Sequence, residues 1–504
     1  MAVDIEKGTL SLNQVIANKI ENFEIESDCI VPDVKPDILE IISTSGIINI
    51  YKKELQDGKI KIEGKILTYI LYEGNSQNGK ETRSIEHDID FTQIIIAKNI
   101  TSEMIEDGKI TLNNIQCKII NERKVNIQAS LKYDTKIYSV SNAEYISGVK
   151  VDDLQKLERK LNINPILGYG NTKASINENV TIEETDNVAE ILKSSVEVDN
   201  KEIKISYNKI LAKADVKIKI MYLTEDNRIC VKNATYPVVG FVEMNGIDDS
   251  SYCETNFEIS NALIKQNTSS DHSILVNIEF AIGCIAYKSK ELDIITDMYS
   301  PKYNLEFTQK NIYLMQKPKV YNGQFIISQK SQTDIEGMVL KDVDLSFINM
   351  NVSTENSNVN IAGNVVATIF YYSGTSLELC SKKIIYPVEY SCPCSGLEDD
   401  KVNVSYLINK NKYDVLPTGE IDANIDVNFI ISTSGVLETK IIDSVVEGEN
   451  KENQTNVVIY YVKDNEKMWD IAKKFRSTEE KIMSCNDLKS RYLTSGMQLF
   501  IPCC

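Results

Sequence analysis

Histidine is the commonest general base in enzymes, and this chain has two, His87 and His272. Neither lies at a recognised spacing from a Ser, Cys or Asp that would complete a nucleophile–base set. A phosphate-cradling Gly-x-x-x-x-Gly-Lys loop is absent, as is a zinc-binding His-Glu-x-x-His. Carboxylates are plentiful, so paired-carboxylate glycoside chemistry stays formally open, but no pair stands out. Of 11 cysteines, Cys29, Cys117, Cys230, Cys284 and Cys380 stand alone on strand-like stretches and read as small buried hydrophobes. Two close pairs remain, Cys392-Pro393-Cys394 and Cys503-Cys504. A metal site needs about four ligands, and no second Cys/His pair stands at zinc spacing. The expectation is therefore a protein without catalytic residues, cofactor or metal.

Charge removes other classes. With 55 Lys+Arg against 73 Asp+Glu, the formal net charge is −18. Nonspecific binding to nucleic acid or an anionic membrane needs clustered positive charge, so neither is expected as a partner. At 42% hydrophobic and 25% charged, the chain reads as globular. Apolar runs such as "VVATIFYY" (365–372) fall far short of the ~20 residues that span a bilayer. The start, "MAVDIEKGTLSL", lacks the basic and apolar regions of a secretory signal. The expectation is a protein kept inside the cell that makes it.

The elements come from internal repetition. "KILTYILYE" (65–73), "VKIKIMYLTE" (216–225) and "VVATIFYYSG" (365–374) place Tyr72, Tyr222 and Tyr371 about 150 residues apart. "YPVVGFVEMNGI" (236–247) matches "YPVEYSCPCSGL" (386–397), with a diverged counterpart at 86–100. Each copy continues into a second strand set, at 124–133, 273–287 and 421–432. Strict alternation, as in "DVKIKI" (215–220), predicts antiparallel strands with one buried and one wet face. Asp57-Gly58, Asn78-Gly79, Asp107-Gly108 and Asn322-Gly323 read as turns. Apolar spacing at 34–43 and 186–195 reads as short helices. The expected fold is mainly β, with three antiparallel β-rich repeat domains at 1–158, 159–312 and 313–446. A flexible linker at 447–456, "EGENKENQTN" within it wholly without apolar residues, leads to a small βααβ module at 457–504.

That module holds the only tryptophan, Trp469. "IYYVK" (459–463) reads as its first strand and "MQLFIP" (497–502) as its last. Asn465 reads as a helix cap, and Ser477-Thr478-Glu479-Glu480 as a capping box led by Ser477. The expected core is Tyr461, Val462, Trp469, Ile471, Phe475, Leu499 and Ile501.

This pattern resembles the LysM domain. Tyr461-Val462, Met468-Trp469, Ile471-Ala472-Lys473-Lys474-Phe475, Asn486 and the closing Gly496-Met497-Gln498-Leu499-Phe500-Ile501-Pro502 carry the likeness. The resemblance implies a shallow groove, between the loops after the first strand and before the last, that binds N-acetylglucosamine polymers. The first loop departs from the family's Gly-Asp-Thr or Gly-Asp-Ser and reads Asn465-Glu466-Lys467, which points toward a protein partner. The candidate partner-binding residues are Asn465, Glu466, Lys467, Met468, Arg491, Thr494 and Ser495.

The repeats resemble the SPOCS domain of endospore-forming clostridia, through "VPDVKPDILEI" (31–41), "DMYSPKY" (297–303) and the Tyr-Pro-Val strands. SPOCS repeats followed by one LysM are similar to a family of spore coat morphogenesis proteins. That resemblance implies a scaffold at the forespore surface, in the mother-cell cytoplasm. Its LysM would bind a coat morphogenetic ATPase, with other coat proteins as further partners. The alternative is a cell-wall-associated protein that binds peptidoglycan.

Overall fold

Alternating side chains on one strand bury half of themselves only if another layer covers that face. Here alternating stretches supply the middle strand of each three-stranded sheet. The computed structural model describes residues 4–502 apart from 77–78, 152, 268–271, 334–336, 374–377, 395–400, 417 and 449–456. The expected linker therefore falls almost wholly outside the described residues, as do Asn78, Cys503 and Cys504.

In the first unit, β1 (Asp4–Ile30), β5 (Ile105–Asn121) and β6 (Lys124–Lys150) form one sheet in the order β1-β6-β5. A meander of β2 (Asp37–Gln56), β3 (Lys59–Ser76) and β4 (Gly79–Ile96) forms the other. The second unit repeats this with β8 (Ile166–Thr181), β13 (Ser273–Lys288) and β12 (Ser251–Gln266), and with the meander β9 (Val188–Ser206), β10 (Lys209–Thr224), β11 (Ile229–Glu243). The third does so with β16 (Lys319–Gln332), β21 (Glu420–Ser434) and β20 (Lys401–Val415), and with β17 (Met338–Glu355), β18 (Asn358–Ser373), β19 (Leu379–Pro393). All pairings are antiparallel, and apolar faces of the paired sheets form one main core per unit. The chain is mainly β, as the alternation predicts.

Two local expectations fail for physical reasons. Residues 34–43 and 186–195 are not helical: they are a turn leading into β2 and the approach to β9. Bulges interrupt these strands at Leu39 and Ile42, and again at Leu192. A bulge adds one residue, so apolar positions fall three or four apart and imitate a helix. Asp57-Gly58 does turn, but Asp107-Gly108 lies within β5 and Asn322-Gly323 within β16. Those two glycines make room for neighbours instead. A Cβ on Gly323 would meet the Tyr390 hydroxyl at 2.4 Å and its ring at 2.5 Å, and one on Gly108 would meet the Glu106 carboxylate and Thr135.

Each unit also extends a two-stranded arm. The first arm is the outer half of β1 on the outer half of β6. The second pairs β7 (Gln155–Ile163) with β14 (Lys290–Tyr299), and the third pairs β15 (Leu305–Met315) with β22 (Val436–Glu447). Their registers coincide: Leu10 pairs with Ala143, Leu161 with Leu292, and Ile312 with Thr439. Each arm carries a bulge at the corresponding residue, Ser147, Thr296 or Asp443. Leu10, Leu161 and Ile312 meet in one cluster. Ile146, Ile295 and Ile442 meet in a second, with Val149, Met298 and Val445. At the other end Leu71, Met221 and Phe370 meet in a third. Every unit touches both others.

Polar ties cross the same joints. Asn13 Nδ2 donates to the Asn164 carbonyl at 2.6 Å, and Ile166 N–H returns a bond to Asn13 Oδ1 at 2.8 Å. Lys35 pairs with Glu190 between the first two units. Lys193, 4% exposed in its side chain, pairs with Asp344 of the third unit, and Lys219 lies 2.6 Å from the same carboxylate. Burial pushes the Lys193 ammonium below its ordinary range, and Asp344 opposes this. Removing the carboxylate leaves a buried cation without its bonded partner. Asp344→Ala is expected to cost about 3–5 kcal/mol in urea unfolding. The pair Lys193→Met with Asp344→Leu is expected to cost less than the single change.

Candidate docking module at the C-terminus

The C-terminal module consists of β23 (Val457–Tyr461), α1 (Met468–Lys474), α2 (Glu479–Cys485) and β24 (Gln498–Pro502). The strands pair antiparallel, with Ile459 opposite Phe500. Val462, Trp469, Ile471, Leu499 and Ile501 are buried together, and Phe475 packs half-buried against them. Tyr461 departs from the expected core. Its side chain is 60% exposed, because alternation along β23 turns Val458 and Tyr460 inward instead.

The caps differ from expectation. Lys467, not Asn465, occupies the N-cap of α1 and makes no side-chain capping bond. Thr478, not Ser477, caps α2 by accepting from Lys481 N–H at 3.2 Å. Ser477 is buried, and its hydroxyl donates to the Pro502 carbonyl at 2.5 Å, tying the interhelix turn to the last strand. Asn486 does more than end α2. Its amide donates to the carbonyls of Ile482 and Phe500, and its oxygen accepts from Phe500 N–H at 2.7 Å.

The two loops lie side by side. Gly496 N–H donates to the Val462 carbonyl at 2.8 Å, and Val462 N–H to the Met497 carbonyl at 3.0 Å. Asn465, Lys467, Arg491, Thr494 and Ser495 are all exposed, and Glu466 is half-buried. Met468 does not join them. It is 2% exposed, at the start of α1. Asn465 has φ 61°, the left-handed region that glycine adopts freely and asparagine tolerates. Asn465 thus holds a backbone conformation open to glycine, and adds a side chain to it. Glu466 braces the loop: it accepts from Lys463 N–H at 2.9 Å and from the Tyr460 hydroxyl at 2.8 Å. These bonds, the Lys463 amide first, hold its carboxyl below the ordinary range. Arg491 Nε lies 3.2 Å from Glu479, so this cation is anchored on the first turn of α2 while 64% of it stays exposed.

Trp469 has a partner that sequence reasoning missed. Its Nε1–H donates to Asp297 Oδ2 at 2.7 Å, and Lys473 Nζ lies 2.5 Å from Asp297 Oδ1. Tyr299 meets the indole edge-on at a 5.0 Å centroid distance, and its hydroxyl donates to the buried Ser477 carbonyl at 2.9 Å. "DMYSPKY" supplies these groups. The sequence offered this segment only as part of its likeness to the SPOCS domain, with nothing to link it to Trp469.

Rival sites do not assemble. Ser27 Oγ lies 3.0 Å from His87 Nε2, but no carboxylate bonds the other ring nitrogen among the described residues. His272 Nδ1 lies 2.9 Å from the Asp186 carbonyl. A cleft of about 290 Å³ between the first two units is lined by Lys53, Glu106, Asp107, Glu254 and Glu258. Lys53 Nζ answers Glu258 at 2.9 Å and Glu106 at 3.3 Å, so its charges bind the units to each other. Cys392 and Cys394 are buried, and burial pushes the Cys394 thiol up to about 11, far from a reactive thiolate. Among the described residues no His/Cys/Asp/Glu group could hold a metal ion, and no helix is long and apolar enough to cross a membrane.

Comparison with known proteins agrees with this layout. Residues 37–120 and 187–266 match the family model described as SipL, SPOCS domain, and residues 460–502 match the LysM domain. The chain thus carries two SPOCS-domain segments, spanning β2–β5 and β9–β12, and a C-terminal LysM domain. Both are non-catalytic binding domains, and together they fit a sporulation-associated protein with a peptidoglycan-binding type of module. No curated protein and no solved structure matches the chain.

The Glu466 brace makes a pH prediction. A carboxylate whose folded pKa is depressed contributes stability above its unfolded value and loses it as pH falls through the folded one. The Lys463 amide resonance should therefore follow Glu466 with a midpoint below 4.5, the ordinary glutamate value. A midpoint at or above 4.5 would contradict the brace. For Trp469→Ala, the lost packing is expected to cost about 3–5 kcal/mol, enough to unfold the small module by circular dichroism.

Proposed function

We propose that this protein is a non-enzymatic scaffold of the endospore coat. It works in the mother-cell cytoplasm, at the forespore surface, and tethers coat proteins through its LysM domain bound to a coat morphogenetic ATPase. The observation that carries this reading is the first loop of the module. Where the family pattern has glycine and small hydroxyls, this loop presents Asn465 and Lys467 to solvent on a backbone stiffened by Glu466. Arg491, Thr494 and Ser495 extend the same exposed ridge. An exposed polar ridge with two cations, Lys467 and Arg491, suits the polar rim of a protein interface. Fold alone does not decide between ligands, so the reading rests on these side chains.

Asn465 also supports the second reading, a cell-wall-associated protein that binds N-acetylglucosamine polymers. Its left-handed backbone is one that the family pattern's glycine would also adopt freely.

Lys467→Glu separates the two. Lys467 is exposed and makes no cap bond, so the folded signal in circular dichroism should not change. Capture of the coat ATPase should fall markedly, while retention on purified peptidoglycan should be absent in both proteins. Saturable retention on peptidoglycan, with unchanged ATPase capture, would favour the second reading. In sporulating cells, deletion of 457–504 is expected to abolish localisation to the forespore. Normal coat placement without the module would sink the scaffold reading.

A further inference from the structure

The three arms correspond residue by residue, yet their tips differ. After the shared bulge, the first arm reads Gly148-Val149-Lys150 and the third Ser444-Val445-Val446. The second reads Asp297-Met298-Tyr299. Val149, Met298 and Val445 do the same work, closing the cluster where the arms meet. The flanking residues have no such duty, and only in the second arm are they an acid and an aromatic. A bulge re-aims the side chains beside it. Here it delivers Asp297 to two donors of the LysM helix, and Tyr299 to the indole face and the interhelix turn.

We propose that the tip of the second arm, residues 297–304, is an intramolecular receptor for the LysM domain. It holds the domain by one side of α1 and presents both of its loops to solvent. The contacts form a graded set from apolar to charged. Tyr299 is buried in the module's own core cluster. Asp297 takes the indole N–H and the Lys473 ammonium on separate oxygens. The Lys473 ammonium also lies 5.1 Å from the Phe307 ring of β15, so the third arm joins the receptor. Arg476 reaches Asn304 Oδ1 at 3.4 Å, and the Asn304 carbonyl accepts from Gly448 N–H at 2.8 Å. Chain leaving the third unit and the docked module thus meet at one residue, which suits docking within one chain. Asn465, Lys467, Arg491, Thr494 and Ser495 take no part in these contacts and stay exposed. The consequence for function is that the loops are offered in a fixed direction relative to the three units. That consequence rests on the scaffold reading, whereas the docking itself does not.

Because Trp469 is the only tryptophan, its fluorescence in the full chain reports docking directly. Asp297→Ala should shift the emission to the red and raise acrylamide quenching severalfold, with far-ultraviolet circular dichroism unchanged. Lys473→Ala, made on the module side, should move both signals in the same direction and leave the arm intact. Ser444→Ala, at the equivalent position of the third arm, should leave them as in the parent. Unchanged emission and quenching in both Asp297→Ala and Lys473→Ala would overturn the proposal. So would emission equal to that of the urea-denatured chain in both, because the arm would then be part of the module's folding and not a receptor for it. No partner or glycan enters this experiment, so failure of the coat reading leaves its result untouched.

Discussion

A two-stranded β-ribbon buries too little to stand alone in water. This chain extends three such ribbons, and each is stable only because the other two cover it. Leu10, Leu161 and Ile312 supply one layer of the shared core, and Ile146, Ile295 and Ile442 the next. The constraint reaches outward from there. For the layers to coincide, the three arms need the same register and the same bulge, and they have both. The sheets attached to each arm are then brought together at the other end, where Leu71, Met221 and Phe370 meet.

Near-equivalence leaves room for specialisation. Positions that face the shared core must stay apolar in all three arms, while the positions between them answer only to their own surroundings. That freedom is used at Asp297 and Tyr299, which hold the C-terminal domain. It is also used between the units, where the ties differ: an asparagine bridge through Asn13 and Asn164, the Lys35–Glu190 pair, and the Lys193–Asp344 pair. Partly buried ion pairs such as these add little net stability, but breaking one by removing a partner is costly.

Within the LysM domain the same division appears. Core positions follow the family pattern, and their burial agrees with it at Val462, Trp469, Ile471, Leu499 and Ile501. The loops carry the departures. Asn465 keeps a glycine-like backbone, and Glu466 turns inward to brace the loop. Trp469 belongs to both worlds, with one face in the core and its N–H on another unit of the chain.

Alternation in the sequence was enough for a mainly β chain, and a short apolar stripe for helices near its C-terminal end. These follow from local rules, since period two means a half-buried strand and a capped apolar stripe means a short helix. Local rules erred where one inserted residue shifted the period, as at Ile42 and Leu192, and where a glycine served a neighbour's ring instead of a turn, as at Gly323. They also misjudged Tyr461 and Met468, whose burial depends on which face of the hairpin the helices cover. The joining of the arms and the seat of the domain at Asp297 were decided only by tertiary structure. Their partners lie about 150 residues or more apart along the chain, and no local pattern records which distant surfaces will share a core.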